Sequence, residues 1–200
     1  MINHEHKFLF LHLPKTGGTS INKFFNDKFD NNERDFGHPY LSEYSYDKKT
    51  DRYSNINDYF KFTVVRNPYD RLVSAFFYMK EYSKFPFDIS FRKKWKLEDD
   101  TFESFVIEKL PVILSNKNIR PRHFKPQVEF GTAGLDYIGS FVTMQDDMNF
   151  ICDEIGIDRQ DLPHVNSSNH KRYDEYYNKE LLDIVETLYI NDFNNYDHLW

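Results

Sequence analysis

The chain has 200 residues, of which 40% are hydrophobic and 18% aromatic, and its formal net charge is −6. This length predicts one domain, and the aromatic content excludes intrinsic disorder and low-complexity fibres because it supplies enough apolar surface for a core. An acidic chain is not built to coat nucleic acid, so any anion that it binds requires a local pocket of positive charge.

Two features of the sequence bear on where the protein works. The longest strongly apolar run, residues 8–13, is far shorter than the roughly 20 residues that a membrane span requires. Residues 1–7 lack a basic stretch leading into a long apolar core, so a signal peptide is not expected. The single cysteine, Cys152, can form neither an intramolecular disulfide nor a thiolate metal cluster. We therefore expect a cytoplasmic protein without a membrane span.

The first part of the chain alternates strands and helices. Residues 7–13 are apolar at most positions and end at Pro14, which predicts a buried parallel strand. A glycine turn follows, and then a helix whose apolar positions recur at helical spacing. The apolar segment 60–65 predicts a second strand, and Pro68 suits the first turn of the helix that follows it. The apolar positions of the two helices are Ile21, Phe25 and Phe29 in the first, and Leu72, Phe76 and Met79 in the second.

The second part continues this alternation after an interruption. Residues 83–100 mix aromatic and basic side chains, which predicts an excursion outside the core, and residues 101–110 predict a helix. A third strand is expected at 137–142, then a helix that Gly156 ends and a last helix near the C-terminus. The fold class is therefore α/β: a single, P-loop-like domain over residues 1–200, with a mostly parallel central sheet flanked by helices.

The segment after the first strand has the composition of an anion-binding loop. It reads Lys15-Thr16-Gly17-Gly18-Thr19-Ser20. Backbone N–H groups of a glycine turn at a helix N-terminus attract negative charge, to which the hydroxyls and the lysine add donors. The segment is not a triphosphate-binding P-loop, because the lysine precedes the glycines, and no GxGxxG motif occurs. An ordinary strand–helix turn would explain the glycines, but not a lysine together with three hydroxyls.

The second strand leads into another possible anion site. Arg66 stands at the carboxyl end of that strand, where ligands gather in open parallel sheets, and Ser74 lies two helical turns further. A guanidinium and a hydroxyl can converge on one phosphate. Taken alone, a surface arginine and a helix serine explain this pattern equally well.

Together, the two motifs resemble those of sulfotransferases that use 3′-phosphoadenosine 5′-phosphosulfate (PAPS). The 5′-phosphosulfate loop of these enzymes resembles residues 13–20, and their 3′-phosphate element resembles Arg66-Asn67-Pro68 with Ser74. The amino-acid sequences of both motifs are most similar to those of the carbohydrate branch, which includes the heparan/uronyl 2-O-sulfotransferases and the chondroitin and HNK-1 enzymes. The resemblance is strong over residues 7–20 and 60–76 and weaker elsewhere.

The resemblance implies a role for each matching residue. Lys15 would contact the sulfate and stabilise the departing phosphate, whereas Arg66 and Ser74 would bind the 3′-phosphate. PAPS is the expected donor, 3′-phosphoadenosine 5′-phosphate (PAP) is the product, and no metal is expected. The residues expected to bind the 5′-phosphate are Gly17, Gly18, Thr19 and Ser20, and Thr16 is expected among the cofactor-binding residues of the loop.

The acceptor hydroxyl requires a general base, and histidine titrates in the suitable range. His38 stands in a Gly-His stretch similar to the one that bears the base in the 2-O-sulfotransferase branch. His123 and Gln127 lie in a segment where the family holds its acceptor. We expect His38 to be the base and His123 and Gln127 to bind acceptor, with the exchange of the two histidines left open. His12, on the first strand, is more typical of a core histidine.

The leading hypothesis is a PAPS-dependent O-sulfotransferase that acts on a hydroxyl of a carbohydrate-type acceptor. One alternative is a P-loop-type kinase of a nucleotide or small molecule, which the position of Lys15 disfavours. Another is a non-catalytic binder of PAP or of a sulfated glycan, which Lys15 together with a possible base disfavours. Nucleic acid and membrane are not expected as partners, and the oligomeric state is left open.

Overall fold

The computed structural model describes residues 1–30, 32, 38–44, 56–116, 121–163, 165 and 170–200. The chain divides into two compact units. The first unit comprises Met1–Arg66, Gln127–Ser167 and His198–Trp200, and the second comprises Asn67–Pro126 and Ser168–Asp197. Each unit has its own apolar core. The single domain over residues 1–200 stays a prediction.

The first unit is built on a sheet of four strands among the described residues, arranged in chain order. The first pair of strands is antiparallel and the next two pairs are parallel. The strands are β1 (Ile2–Asn3), β2 (Phe8–Phe10), β3 (Phe60–Val65) and β4 (Tyr137–Ser140). The predicted α/β class with a mostly parallel sheet is confirmed, and β1 adds an antiparallel edge strand that the sequence pattern did not indicate.

The described residues form α-helices in both units. In chain order, they are α1 (Gly18–Lys28), α2 (Pro68–Phe77), α3 (Pro86–Trp95), α4 (Phe102–Ser104), α5 (Leu110–Ser115), α6 (Met144–Glu154), α7 (Lys179–Leu188) and α8 (Ile190–Tyr196). Two π-helical segments follow α2 and α4, at Tyr78–Tyr82 and Phe105–Lys109. The helices predicted after the glycine turn, at Pro68, before Gly156 and near the C-terminus are confirmed.

The core of the first unit joins α1 and α6 to the sheet. Strands β2 and β3 contribute alternate residues, which point to the same face of a sheet. Burying one such aromatic or aliphatic side chain stabilises the fold by about 1.5–3 kcal/mol. The buried members are Met1, Phe8, Phe10, Ile21, Phe24, Phe25, Phe62, Val64, Met148, Ile151, Cys152 and Ile155.

The second unit is helical among its described residues, and it corrects two expectations. The segment 83–100 is not an excursion outside the core, because α3 turns Phe91 inward and Leu97 follows it, with 4% and 0% of their surfaces exposed. The helix expected to end near residue 110 continues to Ser115, since Pro111 stands in the first turn of α5, where its missing N–H costs little.

The parallel strands bring three chain segments to one edge of the sheet in the first unit. Strand β2 is shorter than predicted, although Leu11 still donates a backbone hydrogen bond to Phe62, at 2.9 Å, before the chain turns away. Because β2, β3 and β4 run in the same direction, their carboxyl ends lie at the same edge. The glycine loop, Arg66 and Phe141 follow these three ends.

Candidate functional site

The glycine loop meets α1 with an unusual backbone. Lys15 and Gly17 both have positive φ angles, of 66° and 84°, and Gly17 is the N-cap of α1 without a side-chain capping hydrogen bond. The amide of Ser20 donates to the Gly17 carbonyl at 2.9 Å, which closes the first turn. The first N–H groups of a helix lack intrahelical acceptors, and the helix dipole makes this end positive. The loop therefore presents the backbone of an anion cradle.

Both glycines lie close against side chains from outside the loop. A Cβ atom on Gly18 would lie 2.0 Å from Cδ2 of His12, and one on Gly17 would lie 2.8 Å from Sδ of Met144. Gly17 also adopts a φ angle that glycine tolerates at no steric cost. The two glycines thus let a histidine and a methionine close against the loop.

The three loop hydroxyls have different surroundings. Thr16 is fully buried and donates its hydroxyl proton to the Leu13 carbonyl at 3.1 Å. The Ser20 oxygen, also buried, accepts from the amide of Val165 at 3.4 Å. Thr19 is exposed. Thr16 thus shapes the loop from within, and the predicted contacts of all three residues with a phosphate stay predictions.

Arg66 is oriented on the loop by three residues of the first unit. Its Nη1 donates to the Lys15 carbonyl at 3.1 Å, and its guanidinium lies 4.2 Å from the ring centre of Phe141. The side chain of Gln127 accepts from the Arg66 amide and donates to the Arg66 carbonyl, both at 2.9 Å. Gln127 is fully buried, so these bonds give it a structural function at Arg66. Its predicted contact with an acceptor stays a prediction.

The electrostatics of the loop favour an anion. Burial, and secondarily the charge of Arg66, lower the pKa of Lys15 to about 8. A negative ligand beside these two cations would stabilise the charged form of Lys15 and raise its pKa again. A perturbed lysine beside a helix N-terminus and an arginine is the charge pattern of a binding or catalytic site.

Two half-buried histidines pack against each other beside the loop. His38 Nδ1 lies 3.1 Å from the carbonyl oxygen of His12, and the two rings meet edge to face with their centres 4.5 Å apart. A carbonyl oxygen only accepts, so Nδ1 of His38 carries the proton. In the neutral ring, Nε2 then holds the lone pair that a general base uses.

Two of the predicted site residues belong to the second unit. Ser74 is buried on α2. The ring of His123 packs against Tyr78 at 4.9 Å between centres, and its carbonyl accepts from Nη1 of Arg71 at 3.3 Å. The roles predicted for Ser74 and His123 stay predictions.

Sequence reasoning missed three residues that line the loop. His12 is not a residue of the first strand, because β2 ends at Phe10 and the ring of His12 lies over Gly18 instead of in the core. Phe141 and Met144 approach Gly17. The predicted third strand, 137–142, included Phe141, whereas β4 ends at Ser140 and Phe141 follows it as Arg66 follows β3. Contact between His12 and Gly18 has no signature in the sequence.

Neither a metal centre nor a membrane helix is found in the part of the chain that the structure describes. Over these residues, His, Cys, Asp and Glu form no group of three or more that could hold a metal ion. The independence from metal therefore stays a prediction. None of the described helices combines the length and the apolar character needed to cross a bilayer.

Comparison with known proteins gives one family and two relatives. A family model described as the sulfotransferase family matches residues 1–198. Carbohydrate sulfotransferase 10 of Danio rerio is 37% identical over 86 residues, which are 36% of this chain and 22% of the relative. Carbohydrate sulfotransferase 10 of Xenopus laevis is 33% identical over 89 residues, or 38% of this chain and 24% of the relative. Each match thus spans less than a quarter of the relative's length, and no solved structure matches the chain significantly.

Proposed function

This chain belongs to the sulfotransferase family, and we propose that it transfers a sulfuryl group from PAPS to a hydroxyl of a carbohydrate acceptor. The single observation that carries the proposal is the glycine loop, where Lys15 and Arg66 lie beside the uncapped N-terminus of α1. The carbohydrate acceptor is inferred from the two relatives, both of which are carbohydrate sulfotransferases by name.

The donor set of the loop fits a phosphosulfate. When bound, PAPS supplies an activated sulfuryl group on its 5′-phosphate. The first turn of α1 offers backbone N–H groups to a phosphate, and Gly17 and Gly18 let Met144 and His12 pack beside these groups. The lowered pKa of Lys15 is also consistent with an anionic ligand. Burial and the charge of Arg66 destabilise the lysine cation, and the negative charge of a bound ligand would stabilise it.

Lys15 is proposed to stabilise the leaving group. Sulfuryl transfer develops negative charge on the phosphate oxygen that departs from sulfur. A preorganised cation at that oxygen lowers the barrier, and removal of one such donor typically costs about 2.7–4 kcal/mol. The Arg66 hydrogen bond to the Lys15 carbonyl helps to hold the backbone of this residue in its positive-φ conformation.

Arg66 is proposed to bind the 3′-phosphate of the donor. A guanidinium offers several donors in a plane that matches phosphate oxygens. The bonds from Gln127 and the ring of Phe141 restrict how Arg66 can move, which reduces the entropy lost on binding. Ser74 is proposed for the same phosphate on the resemblance alone.

His38 is proposed as the general base. Its Nε2 takes the proton of the acceptor hydroxyl while that oxygen forms its bond to sulfur, and the electrons of the breaking S–O bond go to the phosphate oxygen beside Lys15. The carbonyl of His12 supports this role because it fixes the required tautomer of His38. His123 is proposed to contact the acceptor, and the two histidines remain exchangeable until variants are compared. A cytoplasmic location is part of the proposal.

The test is an incubation of the purified protein with sulfur-labelled PAPS and a panel of carbohydrate acceptors, followed by mass spectrometry of the products. Sulfated product in the presence of a chelator supports the proposal.

Thermal shift assays separate the alternatives, because a ligand that binds the native state raises the melting temperature. Stabilisation by ATP with Mg²⁺ but not by PAP would indicate a kinase. Stabilisation by PAP without any transfer would indicate a binder.

A further inference from the structure

We propose that His12 is a positioning residue, which holds the imidazole of His38 in a fixed orientation toward the glycine loop. The inference rests on the proposed function for the role of His38. His12 is half-buried and lies two positions after the end of β2 and three positions before Lys15. The imidazole of His12, including its Nε2 atom, lies against Gly18 of the glycine loop. A histidine packed in the core would not contact the loop in this way.

His12 contacts His38 through its backbone and through its ring. The carbonyl of His12 accepts the hydrogen bond from His38 Nδ1 at 3.1 Å, and the ring planes meet at 78° with centres 4.5 Å apart. One hydrogen bond alone would let the ring of His38 turn about the bond. The edge-to-face contact restricts that rotation. His12 therefore helps to fix the position of Nε2 in His38.

The ring of His12 is itself anchored on α1. The side-chain nitrogen of Asn22 lies 3.2 Å from Nδ1 of His12. On the other edge of the ring, Gly18 packs so closely that a Cβ there would lie 2.0 Å from Cδ2 and 2.2 Å from Nε2. Gly18 and Asn22 are one helical turn apart, on the face of α1 that His12 covers. His12 thus connects His38 to the helix whose N-terminus forms the anion loop.

This connection has a consequence for catalysis. A displacement of about 1 Å between reacting groups can lower a rate by about 100-fold. The variant His12→Ala keeps the carbonyl but removes the ring, so we expect kcat to fall by about 10- to 100-fold. PAP affinity is expected to stay within about threefold, because the cations and N–H groups of the loop are retained.

The kinetic test compares His12→Ala, His38→Ala and the double variant. Because His12 acts through His38, the double variant is expected to be no slower than His38→Ala. Reductions in kcat that multiply would overturn the proposal, since they would show that His12 supports the loop or the fold independently. His4→Ala is the matched control: this exposed histidine contacts Tyr59, and its loss is expected to leave kcat unchanged.

A second measurement needs neither donor nor acceptor. Nitrogen NMR relaxation of the histidine-labelled protein is expected to show an ordered ring of His38 protonated on Nδ1. His12→Ala, which keeps the carbonyl but removes the edge-to-face contact, is expected to change this signal to that of a more mobile ring with the same tautomer. Asn22→Ala, which retains the ring but removes its anchor, is expected to shift the signal in the same direction and serves if His12→Ala does not fold. Unchanged His38 signals in the folded variants overturn the proposal. Altered signals in a protein that transfers no sulfate would instead contradict the proposed function.

Discussion

The guanidinium of Arg66 donates a hydrogen bond to the backbone carbonyl of Lys15, with 3.1 Å between Nη1 and the oxygen. These residues are 51 positions apart and follow neighbouring parallel strands, so the sheet itself brings them together. The bond places one cation against the backbone of another. The like charges lower the pKa of Lys15 in addition to the effect of burial, and the opposite charge of a bound anion would raise this pKa again.

Replacement of Lys15 is expected to reduce turnover without unfolding the protein. Lys15→Ala should lower kcat by about 100-fold or more at saturating PAPS, the scale of losing one charge partner in the transition state. The control is Lys23→Ala, since Lys23 is an exposed lysine of α1 that pairs with Asp27 at 2.7 Å. Near-normal kcat in a correctly folded Lys15→Ala protein would refute the leaving-group role.

The affinity for PAP is expected to fall as the pH rises above about 8, the pKa of Lys15 in the free protein. Below this pH the lysine already carries its proton. Above it, binding requires proton uptake, because the anion favours the charged form; affinity then falls by up to about tenfold per pH unit. Calorimetry in buffers of different ionisation enthalpy measures this uptake. Lys15→Ala should abolish it, and uptake that persists in the variant would assign the proton to another group.

Two glycine variants separate a steric effect from backbone strain. Gly18→Ala should lower PAP affinity by at least about tenfold and destabilise the protein by about 1–3 kcal/mol, because the new methyl group meets the ring of His12. Gly156→Ala has open space around it but a φ of 72°, so it should cost about 1 kcal/mol of stability and no affinity. Titration calorimetry and urea unfolding measure the two effects. Equal affinity losses in both variants would contradict the packing argument.

Arg66 is expected to select the 3′-phosphorylated nucleotide. Arg66→Ala should weaken PAP binding by about 10- to 100-fold, since a charge-assisted hydrogen bond contributes about 1.5–3 kcal/mol. Affinity for the nucleotide that lacks the 3′-phosphate should change little. Arg159→Ala, which removes an exposed arginine paired with Asp153, is the control. Equal losses for the two nucleotides would show that Arg66 acts only on the loop.

The two histidine variants assign the base. His38→Ala should lower kcat by about 10²–10⁴-fold with PAP binding intact. It should also remove the acidic limb of the pH–rate profile, which a histidine base places at about pH 6.5. His123→Ala should raise the acceptor KM more than it lowers kcat. If instead His123→Ala loses the acidic limb and His38→Ala retains it, the two roles are exchanged.

The sequence by itself determined the α/β class, the strands and helices that flank the loop, and the family resemblance. These rest on local patterns: alternating apolar runs, Pro68 at a helix start, and a lysine beside a glycine pair. Each pattern lies within a few residues of the chain, so it can be read without knowing what packs against it.

Only the tertiary structure decided how the site is assembled. Gln127 is bonded to Arg66 across 61 residues, and His38 to His12 across 26. Within the segment 83–100, Phe91 and Leu97 are buried whereas Phe85 and Phe87 are exposed. The ring of His12, beyond the end of β2, covers Gly18. Such contacts depend on which distant segments meet at one sheet edge or in one core. Local sequence patterns do not indicate which distant segments come into contact, because the same short pattern can pack against many different partners.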